Sequence, residues 1–136
     1  MINLVVITHG EFGAYLVEAA EGIVGPQNGG VRCVGISPRM TVAEVRGRVE
    51  SALSDLEKAD GVVVLTDMPG GTPCNVAIPL CKDRPRVAVI SGVNLYMLVT
   101  AFNNRSSAGL EDLTEKILSA GRRAVADVKG AFLGKR

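Results

Sequence analysis

Four apolar runs without helical spacing recur along the chain, at residues 3–7, Val31–Ile36, Gly61–Thr66 and Arg86–Ser91, and each predicts a strand. Between the first two, Phe12, Leu16, Ala19, Ala20 and Ile23 return at three- and four-residue steps. They predict an amphipathic helix with those residues as its core face, and Gly25-Pro26 stops it. Asn28-Gly29-Gly30 then turns the chain into the second strand. Thr41-Val42-Ala43-Glu44 reads as a capping box, and Val42, Val45, Val49, Leu53 and Leu56 form the stripe of a second helix running to about Ala59. Asp67–Thr72 is a turn-rich loop that opens into a short helix near Pro73, a favoured first helical position. Helices over Asn94–Phe102 and Leu110–Arg123 follow, separated by the polar Asn103-Asn104-Arg105-Ser106-Ser107. A further helical piece closes the chain at Ala124–Phe132.

Strands that alternate with helices imply right-handed crossovers and a mainly parallel open sheet with helices on both faces. The expected fold class is therefore α/β, as a single domain over residues 1–136 with strand order 2-1-3-4. In such a sheet the strand order reverses between strands 1 and 3, and a ligand crevice opens beyond their carboxyl ends. The two loops that meet there begin at Thr8 and Asp67.

Composition narrows the partners. With 15 Lys plus Arg against 14 Asp plus Glu and no basic cluster, nucleic acid is not an expected partner. The apolar runs fall far short of the roughly 20 residues that span a bilayer. The N-terminal Met1–Ile7 has no basic lead-in and runs straight into Thr8-His9-Gly10, so it reads as a core strand rather than a signal peptide, and a cytoplasmic location is expected. Cys33, Cys74 and Cys81 contain no CxxC pair, and one histidine is too few to complete a zinc site with them. They are expected to be reduced, packed thiols, and no metal is expected. Glu44, Arg46, Arg48 and Glu50 read as a solvated helix face.

The crevice brings together the single histidine of the chain, His9, and the carboxylate of Asp67. A carboxylate that accepts one imidazole N–H fixes the tautomer and aims the other nitrogen's lone pair at an electrophile. The Gly70-Gly71-Thr72-Pro73 segment adds small residues, a hydroxyl and a helix start, a combination suited to an anion. Phosphoryl transfer needs mainly positioning and charge stabilisation, so these groups suffice without a cofactor. The same pair also serves as a structural hydrogen bond in a flavodoxin-like module that binds a partner or anion and never takes up phosphate. Acceptance of phosphate would fall as acid protonates the imidazole, whereas failure to label with active donor proteins would favour the binding module.

Three segments in order, Ile7-Thr8-His9-Gly10, Asp67-Met68-Pro69-Gly70-Gly71-Thr72-Pro73-Cys74-Asn75 and Ser91-Gly92-Val93-Asn94-Leu95, resemble the IIA domains of the mannose/fructose/sorbose sugar phosphotransferase family. The resemblance covers almost the whole chain. It implies a carrier that accepts phosphate on His9 from the phosphorylated protein HPr and passes it to a separate IIB protein, or displays it as a regulatory signal. Membrane contact would be indirect, through a permease complex. By the same resemblance Asp67 is the hydrogen-bonded partner of His9, and Gly70, Gly71 and Thr72 bind the phosphoryl group. Thr8, Gly10, Met68, Pro69 and Asn94 shape the pocket rim. The resemblance further implies a homodimer that exchanges a C-terminal antiparallel strand within about residues 124–132.

Tyr96 stands where many members of that family have Pro, which bears on the shape of the rim. Thr8-His9-Gly10-Glu11 also resembles the Arg-His-Gly-Glu of histidine phosphatases. That chemistry requires the arginine beside the nucleophile and a second histidine, whereas this chain has Thr8 in that place and no other histidine.

Overall fold

The computed structural model describes residues 1–58 and 60–134. Strands β1 (Asn3–His9), β2 (Val31–Ile36), β3 (Val62–Thr66) and β4 (Val87–Ile90) alternate with helices α1 (Phe12–Val24), α2 (Val42–Leu56), α3 (Thr72–Cys81) and α4 (Leu95–Asn104). Two more helices, α5 (Leu110–Ala124) and α6 (Val128–Phe132), complete the chain. The sheet has the order β2-β1-β3-β4, and all three pairings are parallel. The strand order read from the sequence holds.

Because side chains alternate across a strand, the central strands feed two cores. Leu4, Val6, Val63 and Leu65 face α1, α4 and α5, and Val5, Ile7, Val62 and Val64 face α2 and α3. Residues Leu4–Ile7 of β1 are fully buried, as expected of a strand covered on both faces. Helix α2 starts with the expected capping box, in which the Thr41 hydroxyl accepts from Glu44 N–H and the Glu44 carboxylate accepts from Thr41 N–H. It ends at Leu56, and the expected end at Ala59 lies outside the described residues.

The core faces of two helices are corrected. The core face of α1 is Gly13, Val17 and Ala20, while Phe12, Ala19 and Ile23 are exposed. Gly13 decides the rotation: a Cβ there would sit 2.9 Å from Val6 Cγ1 and 3.0 Å from Thr8 Oγ1, so only a glycine lets the helix approach the sheet this closely. Val42 at the start of α2 is likewise exposed, leaving Val45, Val49 and Leu53 to fill the core. The C-terminal segment is helical, as the sequence pattern expects: α5 runs to Ala124 and Val128–Phe132 forms a short helix. Asp127 gives this turn its cap by accepting from Gly130 N–H at 3.0 Å, so the segment closes its own hydrogen bonds locally.

Candidate functional site

Parallel pairing of β1 with β3 sets Ile7 opposite Thr66, so the next residues of both strands emerge together at the carboxyl edge of the sheet. Helix α1 then leaves on one face and α3 on the other, which opens the crevice between them. His9 and Asp67 meet in it. Asp67 Oδ2 accepts from the His9 backbone N–H at 2.9 Å and lies 2.7 Å from His9 Nδ1, and Asp67 Oδ1 accepts from Met68 N–H at 3.0 Å. Partial burial pushes the Asp67 carboxyl upward, but the donors of His9, backbone and then ring, outweigh it and hold the group below its ordinary value. A carboxylate is an acceptor only, so Nδ1 carries the proton toward it and Nε2 keeps its lone pair. The side chain of His9 is 52 % exposed, against 13 % for Asp67. The carboxylate of the pair is anchored and the outer edge of the ring is open.

The loop after Asp67 is built around that ring. Gly70 adopts φ +78°, a conformation that disfavours other residues, and its carbonyl accepts from Asn75 Nδ2 at 3.1 Å. A Cβ on Gly71 would lie 3.1 Å from His9 Cε1 and 3.7 Å from Nε2. The missing side chain therefore leaves the space beside the free nitrogen. Gly71 is also the N-cap of α3 and offers no capping side chain, so the first-turn N–H groups retain donor capacity at the crevice. Gly71→Ala is expected to fold with a stability change of about 1 kcal/mol or less, because its φ of −84° suits alanine. The His9 ring should yield to the new methyl, visible as a changed Nδ1–H resonance by NMR. An unaltered resonance would show that Gly71 does not abut the ring.

His9, Gly10 and Thr72 share a cleft of about 640 Å³ with Ile36, Pro38 and Met40. The loop after β2 is a wall that the sequence reading missed, although β2 neighbours β1 and so ends at the same edge. Its turn is tied by Arg39 N–H donating to Ser37 Oγ and by Gly10 N–H donating to Ile36 O. Asn75, which pins the glycine loop, was also missed. Gly10 has φ +57° and turns the chain away from the strand, while the expected rim residues Met68 and Pro69 are exposed and do not line this cleft.

Two expected rim residues lie elsewhere. Thr8 is buried, and its hydroxyl accepts from Gly13 N–H at 2.8 Å, which ties the first turn of α1 to β1. Asn94 does not line the cleft. Its carboxamide caps α4 by accepting from Met97 N–H at 3.0 Å, and it donates to Gly121 O at 3.3 Å to bind α4 to α5. Among the described residues no group of three or more His, Cys, Asp or Glu is placed to hold a metal ion. Burial pushes the Cys81 thiol up to about 11, and Cys33 is raised for the same main reason, so both are poor nucleophiles.

Residues 3–118 match the protein family described as the PTS system fructose IIA component. The chain is 30 % identical over 129 residues to the mannose-specific EIIAB component of Escherichia coli, a match that takes in 94 % of this chain and 40 % of that protein. This chain thus spans well under half of that relative. It is 28 % identical over 117 residues to the fructose-specific EIIA component of Bacillus subtilis, covering 86 % of this chain and 80 % of that one. Among solved structures, the PTS IIA protein associated with the fucose utilization operon of Streptococcus pneumoniae superposes with a TM-score of 0.86 at 28 % identity, covering 96 % of both chains.

Proposed function

Since the chain belongs to the fructose IIA component family of the sugar phosphotransferase system, we propose that it is a phosphoryl carrier in which His9 Nε2 is transiently phosphorylated. Phospho-HPr is the donor, and a separate IIB protein is the acceptor. The observation that carries this reading is the 2.7 Å contact of Asp67 Oδ2 with His9 Nδ1, which leaves the opposite nitrogen as the nucleophile. As the Nε2–P bond forms, the bond from phosphorus to the donor's leaving group breaks, and the ring gains positive charge. Asp67 stabilises that charge through the Nδ1–H bond. Thr72, with the first N–H groups of α3, supports the phosphoryl oxygens. Passing the group to the IIB protein runs the same displacement in reverse, so one constellation serves both half-reactions.

Among the described residues no helix is long and apolar enough to cross a membrane. The carrier is proposed to work in the cytoplasm and to reach the membrane only through a permease complex.

The experiment is intact-protein mass spectrometry after incubation with phosphoenolpyruvate, enzyme I and HPr. One acid-labile phosphoryl group, mapped to the peptide holding His9, is the expected result. No label from a demonstrably active donor would instead favour a module that binds a partner or anion without accepting phosphate.

A further inference from the structure

A phosphoryl group on His9 would add negative charge beside the Asp67 carboxylate, yet among the described residues no basic side chain lines the cleft. Apart from His9 the lining is apolar or neutral, and the first N–H groups of α3 supply only a partial positive charge. Over the three segments that meet at this edge, 8–12, 36–45 and 67–75, the single basic residue is Arg39.

The backbone brings Arg39 to the rim. The register of β1 with β2 sets His9 opposite Ile36, and Gly10 N–H donates to Ile36 O at 2.8 Å. The chain then reverses over Ser37-Pro38-Arg39-Met40. Met40 N–H donates to Ser37 O at 3.0 Å, Arg39 N–H to Ser37 Oγ at 3.2 Å and Ser37 N–H to Met40 Sδ at 3.3 Å. Pro38 holds the second position of this turn, where its fixed φ is favoured. Both neighbours of Arg39, Pro38 and Met40, line the cleft with His9. At about 4.8 Å between strands and 3.8 Å per residue, the Cα path from His9 to Arg39 is about 16 Å, and the reversal makes the direct distance shorter. An extended arginine and an imidazole leaning toward each other cover most of that span.

The backbone of the turn is fixed while the side chain is free to cross. Arg39 is exposed, and among the described residues its guanidinium is held by no hydrogen bond or ion pair. Glu44, the nearest acid along the chain, is committed to Thr41 in the capping box. Arg32 and Arg84, by contrast, are paired with Asp55 and Glu57. A free guanidinium on a fixed turn suits an anion that is present only part of the time, and its planar fork matches two phosphoryl oxygens at once.

Resting on the carrier reading, we propose that Arg39 closes over the cleft and donates to the oxygens of the phosphoryl group on His9. As the Nε2–P bond forms, the bond from phosphorus to the donor's leaving group breaks, and its electron pair departs with that group. Arg39 exchanges no proton, because a guanidinium stays charged, and it offsets the negative charge on the equatorial oxygens. Asp67 supports the ring, and Arg39 supports the group the ring carries.

The test uses the full chain with Arg39→Gln and Arg39→Lys, both at an exposed position, and two donors. Phospho-HPr arrives as a protein, whereas phosphoramidate is a small molecule that releases ammonia and makes no protein contact. Arg39→Gln is expected to lower kcat from phospho-HPr and the labelling rate from phosphoramidate by a common factor of roughly 10 to 100, below the loss of a buried oxyanion donor because the cleft is open to water. Arg39→Lys should recover part of the rate, since an ammonium keeps the charge and loses the fork. Millimolar guanidinium ion should accelerate Arg39→Gln and leave the wild type unchanged. An unaltered kcat and an unaltered phosphoramidate rate in Arg39→Gln overturn the proposal. A raised KM for phospho-HPr with both of those rates unaltered also overturns it, by assigning Arg39 to contact with the donor protein. If neither donor labels the wild type, the carrier reading itself fails and the role of Arg39 falls with it.

Discussion

Phosphoryl acceptance from HPr is expected to vanish in His9→Ala and to slow on the order of 100-fold in Asp67→Asn, an estimate scaled from carboxylates that orient catalytic imidazoles. The two effects differ because the two groups do different work. In the proposed mechanism His9 supplies the lone pair that bonds to phosphorus, and no other imidazole exists in the chain to replace it. Asp67 Oδ2 lies 2.7 Å from Nδ1, and in the proposed mechanism it stabilises the charge that the ring gains. An asparagine fits the same space but presents an NH₂ as readily as an oxygen. It therefore relaxes the tautomer choice and removes the negative charge.

The pH response follows from the lowered Asp67 pKa, whose sign is that of a carboxylate stabilised by donors. The stabilisation this pair gives the fold is fully present above the unfolded carboxyl value of about 3.9 and is lost as pH falls through the lower folded value. In Asp67→Asn that acid-side loss of stability should disappear from urea titrations run at decreasing pH. Single-turnover labelling at neutral pH tests the catalytic half. A rate within threefold of wild type in Asp67→Asn would reduce the pair to a structural hydrogen bond.

Sheet order and the meeting of His9 with Asp67 were legible in the sequence because both follow from topology. Four apolar runs alternating with helices admit few arrangements, and order 2-1-3-4 brings the loops at residues 9 and 67 together whatever the side-chain detail. The rotation of α1 was not legible. That helix carries apolar residues around most of its circumference, so a three- and four-residue step fits more than one face. What selects the face is the close approach of Gly13 to Val6 and Thr8, a contact between segments that no periodicity encodes. Helix α5 marks the contrast. Leu113, Ile117 and Ala120 are buried on one side and Glu111 and Glu115 are exposed on the other, and its span was read within a residue.

The third motif shows the limit of reading a role from position in a resemblance. Asn94 belongs to the loop after β4, which does end at the carboxyl edge of the sheet. Its carboxamide is committed to Met97 N–H and Gly121 O, however, so it fixes helices rather than the cleft. Conversely, the Ser37–Met40 turn carries no motif and yet supplies Pro38 and Met40 to the cleft wall.

Arg105→Met is expected to destabilise the protein by roughly 2–4 kcal/mol while leaving His9 chemistry intact in the folded fraction. From sequence Arg105 sits in a polar connecting segment, where an arginine would normally be solvated. In the structure it is 2 % exposed. Its Nε donates to Ile2 O at 2.8 Å, one terminal nitrogen reaches Gln27 Oε1 and Gly29 O at 3.1 Å each, and the other reaches Asn3 Oδ1 at 3.2 Å. One guanidinium thus fastens the start of β1, the turn into β2 and the end of α4. Burial works against its charge and lowers its pKa, but neutral acceptors take four hydrogen bonds from it without a carboxylate. A Cβ at Gly30 would overlap this guanidinium, so the turn has also been shaped around it. Methionine matches much of the length and removes every donor, leaving buried acceptors unsatisfied. Arg105→Lys should recover only part of the loss, because an ammonium cannot span acceptors arranged for a planar fork. The site lies at the other end of β1, about 20 Å away at 3.3 Å per residue, so the labelling rate per folded molecule should stay near wild type. Urea unfolding would show a lower midpoint at unchanged slope. A loss under 1 kcal/mol would mean that water replaces the guanidinium at no cost, and that the three segments are held by packing alone.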